Sequence, residues 1–318
     1  MYDYEIKHNE YLRSVGAECT VLLKKDECFP VDKPSPIALY GSGARNTIKG
    51  GTGSGEVNSR FYVTVQQGLE EAGFEILSKK WLDEYGHMRA QEYENFKARV
   101  KEEAKEQHQN IMIYSMGKSM EEPEYQIPLD AVCDTAIYVL SRISGEGADR
   151  QAISGEILLS ETEIRDILEC NKKYEKFMLV LNVGGVVDLS PVMEVKNILI
   201  LSQLGVCTGN ILADILLGKQ NPSGKLTTTW SRWDDYSKIG EFGEKHDTRY
   251  KEGIYVGYRY FDTADIIPLF PFGHGLSYSE FRFTPQDCIL DKTSVKVSVD
   301  INNTGEYAGK EVMQVYVS

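Results

Sequence analysis

Short apolar runs punctuate the first two-thirds of the chain: Ile37–Tyr40, Phe74–Leu77, residues 136–141, Phe177–Asn182 and Ile198–Ser202. Each is bounded by glycine or polar turn residues, the signature of strands buried on both faces. Helical patterns lie between them. Residues 11–31 read as a helix, with Tyr11, Leu12, Val15 and Cys19 on one face, running into an extended segment at Val21-Leu-Leu. A second helix is predicted from near Ser59, with Phe61, Val65, Leu69 and Ala72 on its apolar face and Gly73 as its stop. Residues 81–109 suit a long solvated helix whose apolar contacts are Phe96 and Val100, and residues 116–130 an irregular connection. Ser160-Glu-Thr-Glu163 is a capping-box pattern opening a helix to about Tyr174, and another helix runs from Gly209 to Leu217 ahead of Gly218. Strands alternating with helices predict an α/β fold: a doubly wound, largely parallel sheet sandwiched by helices.

The pattern changes after residue 225. Residues 231–276, rich in Tyr, Gly, Asp and Phe, read as an extended connection packing on the sandwich domain of residues 1–230. From Thr293 the chain alternates, with Val295, Val297, Val299 and Ile301 on one face; a turn at Asn302–Gly305 and a β segment at Val312–Val317 follow. This predicts a β-sandwich over 277–318. Such a domain needs roughly 100 residues, and fewer than half that number follow Ser277, so the sandwich is expected to be truncated.

A formal net charge of −13 argues against a nucleic-acid partner. No apolar run approaches the roughly 20 residues of a membrane span, and the first residues carry neither a basic nor an apolar signal region. Six cysteines are scattered without C-x-x-C spacing, which fits reduced thiols better than a zinc site or a disulfide framework. A cytoplasmic location is expected, with no membrane partner, metal or cofactor.

Candidate chemistry centres on Ser141–Arg150, where the strand at 136–141 runs into a loop holding Glu146 between Gly145 and Gly147, with Asp149 and Arg150 behind. Loops at the C-terminal ends of parallel strands are where α/β proteins work; a polar surface turn pairing Asp149 with Arg150 is the bland alternative. The glycine loop Gly50–Gly55 has no Lys-Ser or Lys-Thr after it and no G-x-G-x-x-G spacing, which sets nucleotide binding low. Its Thr52 and Ser54 suit hydrogen bonding to a polyhydroxylated ligand, or the loop is a plain turn. His274, among aromatics and glycines, reads as a packed structural histidine. The aromatic run Tyr250–Phe261 reads as burying a domain seam rather than as a sugar platform. No G-x-S-x-G elbow is present.

Together these segments resemble glycoside hydrolase family 3, the β-glucosidase-like enzymes. The resemblance is carried by Val21-Leu-Leu-Lys-Lys, Gly50-Gly-Thr-Gly-Ser-Gly-Glu-Val57, Ser141-Arg-Ile-Ser-Gly-Glu-Gly-Ala-Asp-Arg150, Leu212–Gly218, Asn221-Pro-Ser-Gly-Lys-Leu226, Tyr250–Phe261 and Phe270–Tyr278. It implies an α/β sandwich domain followed by the start of a fibronectin-III-like domain. It also implies a (β/α)8 barrel that carries the nucleophilic aspartate outside this stretch, in the inverted domain order of some family members. Glu146 then matches the acid/base glutamate, Ser54 a position reaching the sugar, and Asp149 and Arg150 residues that brace the loop. Ala148 stands where the family often has an aromatic residue, and Leu204–Thr208 departs from its usual Pro-Gly-Gln-Glu-Gly. The implied partners are a β-glycoside substrate and the barrel. A non-catalytic carbohydrate-binding or scaffolding module of the same fold is the rival reading.

Overall fold

The computed structural model describes residues 2–55, 57–115, 118, 120–144, 150–236, 247 and 249–316. A helix, α1 (Asp3–Val15), and a single 3-10 turn lead into strand β1 (Val21–Lys24). There follow β2 (Pro36–Tyr40), α2 (Val65–Glu71), β3 (Glu75–Ile76), α3 (Lys79–Glu106), α4 (Ile111–Ser115), β4 (Thr135–Arg142), α5 (Glu161–Lys173), β5 (Lys176–Val183), β6 (Ile198–Ile200) and α6 (Thr208–Leu216). The sheet order is β1-β6-β5-β4-β2-β3. All neighbours are parallel except β1, which pairs antiparallel with β6. The strand positions expected from the apolar runs therefore stand, and the fold is the expected mostly parallel α/β sheet.

Apolar side chains fill both faces because helices cover both. Every residue from Ala136 to Leu140 and from Met178 to Leu181 is at most 1% exposed. One helical layer joins α2 and α6 at a glycine contact. A Cβ on Gly68 would lie 2.1 Å from the Gly209 carbonyl carbon, so only glycine lets these backbones approach. In the other layer, Trp81 and Tyr85 of α3 stack 5.1 Å apart, and Tyr40 meets Trp81 edge-on at 5.3 Å. Ser160 caps α5 through the reciprocal bonds expected of its capping box.

Three local expectations differ. Helix α2 starts at Val65, not near Ser59, because Thr64 and Gln67 form a capping box there; Phe61 stays 40% exposed outside it. In α3 the buried face is Trp81, Leu82, Tyr85, Val100 and Ala104, and Phe96 is only half-buried. Near the C-terminus, β7 (Phe281–Leu290) pairs antiparallel with β8 (Val295–Asn303), preceded by the short helices α7 (Trp233–Tyr236) and α8 (Tyr258–Thr263). Among the described residues no strand lies at 312–316, so the alternating Val295–Ile301 face pairs backwards with β7 rather than forwards.

Isolated bridges tie Phe270 to Trp230 and Leu276 to Leu22 of β1. Of the aromatic run Tyr250–Phe261 only Phe261 is buried and Tyr250 is 87% exposed, while Tyr258 lies against Phe272 and Tyr316. His274 Nε2 donates to Leu23 O at 2.8 Å and the ring lies against Phe270, as in a packed structural histidine. All six cysteines are free. No described helix is long and apolar enough to cross a membrane.

Candidate active-site edge

The C-terminal ends of β2, β4, β5 and β6 form one edge of the sheet, and the two candidate loops rise from neighbouring strands there. Tyr40, the last residue of β2, pairs with Tyr138, and β4 continues four residues beyond it to Arg142. Ser42, just past β2, accepts the Ser141 amide at 3.1 Å, tying the roots of both loops together. Asn182 of β5 staples the first loop from beneath. It accepts the Ile48 amide at 2.6 Å and donates to the carbonyls of Ile48 at 2.9 Å and Ser202 at 2.6 Å. The glycine loop then folds back on itself, since a Cβ on Gly50 would lie 3.1 Å from Gly55 O.

Of the candidate residues, Glu146 and Asp149 lie outside the described residues, 145–149 being excluded. Ser54 belongs to the 3-10 turn Gly53–Gly55, and its side chain is likewise outside the description. Arg150 is well placed. Its Nη1 donates to Val186 O at 2.9 Å and its Nη2 to Glu156 O at 2.7 Å, with Nε 4.0 Å from Glu156 Oε2. Burial holds the Arg150 pKa down to about 10, helped by the nearby Arg142 cation and opposed by Glu156.

Arg142, quoted within the Ser141–Arg150 motif without a role, stands at the end of β4 on the same edge. Only 5% exposed, it donates from Nε to Glu156 O at 2.9 Å, from Nη1 to Ser141 O at 2.9 Å and from Nη2 to Glu163 Oε2 at 2.6 Å. Burial pulls its pKa down, yet Glu163 more than offsets this and the net shift is upward. Glu163, read from sequence as a helix cap, has two duties: the same oxygen accepts the Ser160 amide at 2.9 Å. Ser144, Gly184 and Gln203 also converge, a Cβ on Gly184 lying 3.1 Å from the side chains of both neighbours. A cleft of about 310 Å³ opens beside them, lined by Ser202, Gln203, Lys225, Thr227 and Trp230 among others.

The sequence profile of the glycosyl hydrolase family 3 C-terminal domain matches residues 20–278. The chain belongs to glycoside hydrolase family 3. It is 32% identical to beta-glucosidase A of Butyrivibrio fibrisolvens, over 98% of this chain and 42% of that protein. It is 30% identical to thermostable beta-glucosidase B of Acetivibrio thermocellus, over 98% and 38% respectively. Among solved structures, beta-glucosidase 3B from Thermotoga neapolitana in complex with glucose superposes with a TM-score of 0.78 at 34% identity, covering 95% of this chain and 42% of that one. The family 3 chain thus spans less than half the length of these relatives.

Proposed function

We propose that this chain supplies the acid/base half of a retaining β-glucosidase-type active site. Glu146 is the proton donor, Ser54 a sugar contact, and Asp149 and Arg150 braces of the loop. A (β/α)8 barrel outside these residues supplies the nucleophilic carboxylate. The observation carrying this reading is that the loops bearing Ser54 and Glu146 rise from adjacent parallel strands of a family 3 domain, at their C-terminal ends, with the loop roots tied to each other at Ser42 and Ser141. Relatives named beta-glucosidases, one crystallised with glucose, support a β-glucoside as the substrate class.

Retention needs two carboxyl groups about 5–5.5 Å apart. The nucleophile attacks the anomeric carbon as the glycosidic C–O bond breaks, and Glu146 gives its proton to the departing oxygen. Water then attacks the glycosyl-enzyme, Glu146 takes a proton from it, and the nucleophile leaves as a free carboxylate. To start protonated, Glu146 needs its pKa raised, by desolvation beneath the barrel and by the neighbouring anion.

The test is Glu146→Ala in the protein carrying both halves. Turnover of a poor leaving group collapses, by about 10²–10⁴-fold, activated aryl glucosides suffer least, and azide restores rate by giving a glycosyl azide. Ordinary activity of that variant on a poor leaving group overturns the assignment. The 318-residue chain alone is expected to show no aryl β-glucosidase turnover; measurable hydrolysis by it would refute the division of labour.

A further inference from the structure

Arg142, the last residue of β4, and Arg150, just after the candidate loop, donate to the same acceptor, the carbonyl of Glu156. Both feet of the loop are therefore clamped to one backbone point. Two guanidinium cations converging on a single carbonyl repel each other, which is the second cause of the low Arg150 pKa. Such a clamp needs negative charge close by.

Glu163 supplies one such charge from α5, and Glu156 a second from the connection itself. A third lies across the packed segment at Glu122, whose side chain is 8% exposed. Its Oε1 accepts a short hydrogen bond from the Tyr85 hydroxyl of α3, and its Oε2 lies 3.2 Å from Arg89 Nη1. Its Cβ packs against Gly155: a Cβ on Gly155, where φ is +79°, would lie 2.7 Å from it. Gly155 precedes the clamped carbonyl directly. Arg89 thus pairs with Glu122, Arg142 with Glu163 and Arg150 with Glu156, and Glu122 also attracts Arg142. Tyr125, edge-on to Tyr85 at 5.5 Å, and Tyr138 complete the titratable surroundings.

We infer that Glu122 is a positioning residue for the candidate acid/base loop: its carboxylate attracts Arg142 at one foot of the clamp, and its stem holds Gly155 so that the Glu156 carbonyl stays under both feet. The role is not one of simple stability. Burial, and then Glu163, raise the Glu122 pKa, so holding this carboxylate ionised costs the fold stability. Removing the charge should spare the fold and loosen the clamp.

The inference rests on the proposed function only in calling this loop the acid/base loop, and the first experiment needs no catalysis. Hydrogen exchange of peptides spanning 142–157 is compared in the 318-residue chain between wild type, Glu122→Gln and Gly155→Ala at pH 7. Glu122→Gln is expected to keep or raise the melting temperature while exchange in 142–157 quickens about tenfold, with β5 unchanged. Gly155→Ala should quicken the same peptides. In the protein with both halves, Glu122→Gln should lower kcat more for poor than for activated leaving groups and shift the pH profile, with KM little changed. Unchanged exchange over 142–157 in folded Glu122→Gln would overturn the inference, whatever Gly155→Ala does. Exchange that responds while Glu146→Ala lacks its acid/base signature would keep the brace and refute the functional reading.

Discussion

Strands β4 and β5, and the hairpin β7–β8, draw on the same vocabulary of Val, Ile, Leu and Phe, yet their surroundings are opposite. Along β4 seven of eight residues are buried and along β5 seven of eight. Along β7 and β8 not one is buried. The difference is layers. The parallel strands lie between α2 with α6 on one side and α3 with α5 on the other, so every side chain finds apolar partners. The hairpin is anchored mainly at its base, where Tyr278 meets Tyr307 and Lys225 pairs with Glu311 at 2.7 Å. Apolar alternation specifies a strand, but only a second layer converts it into stability.

The sharpest way to break this contrast is at the end of β4. Arg142→Ala leaves Glu163, 2% exposed, without its guanidinium partner. An uncompensated buried carboxylate costs about 3–5 kcal/mol, to be read from the midpoint of urea unfolding. Leu179→Ala in β5, where the side chain is fully buried, should follow at about 2–5 kcal/mol through lost transfer energy and the cavity left behind. If either variant unfolded at the wild-type midpoint, the central sheet would not be the main store of stability.

A pH titration gives a smaller and more selective effect. The Glu122 pKa lies above the usual glutamate value of 4.5 in the folded state, so the folded chain holds this proton more tightly than the unfolded one. The Glu122 contribution to stability is then complete below 4.5 and is lost as pH rises from 4.5 through the raised folded value. The downward slope should be absent from Glu122→Gln in urea titrations across that window. An identical slope in both proteins would place the titrating group elsewhere.

What the sequence reveals follows the same line between local and remote causes. The runs Ile37–Tyr40 and Phe177–Asn182 are legible because strands buried on both faces need no alternation. The Ser160 box is legible because a cap is written within four residues. The start of α2 is misread because Phe61 falls in helical register with Val65 and Leu69, although Thr64 and Gln67 carry the true cap. Strand β7 is hidden by Pro285 and the bulge that follows it, which interrupt its alternation. Glu146, Asp149 and Ser54 are reached only through family resemblance, since a glutamate between glycines is equally a turn. The charge pairing of Arg142, Glu156, Glu163 and Glu122 escapes sequence reading: the Arg142 partner Glu163 lies 21 residues away, and Glu122 meets its neighbours only through tertiary packing.

The smallest expected effect tests the other side of the comparison. Val297, on the centre of β8, is 38% exposed and pairs with Cys288 just beyond the β7 bulge. With no layer over it among the described residues, Val297→Ala removes little buried area and should change stability by less than about 0.5 kcal/mol. Hydrogen exchange supplies the companion measurement. Amides of β7 and β8 should exchange by local opening, with rates insensitive to Leu179→Ala, whereas β4 and β5 amides should exchange only through global unfolding and quicken with it. A hairpin as protected as β5 would mean that a covering layer exists for Val297 in solution, and the contrast between the two sheets would then vanish.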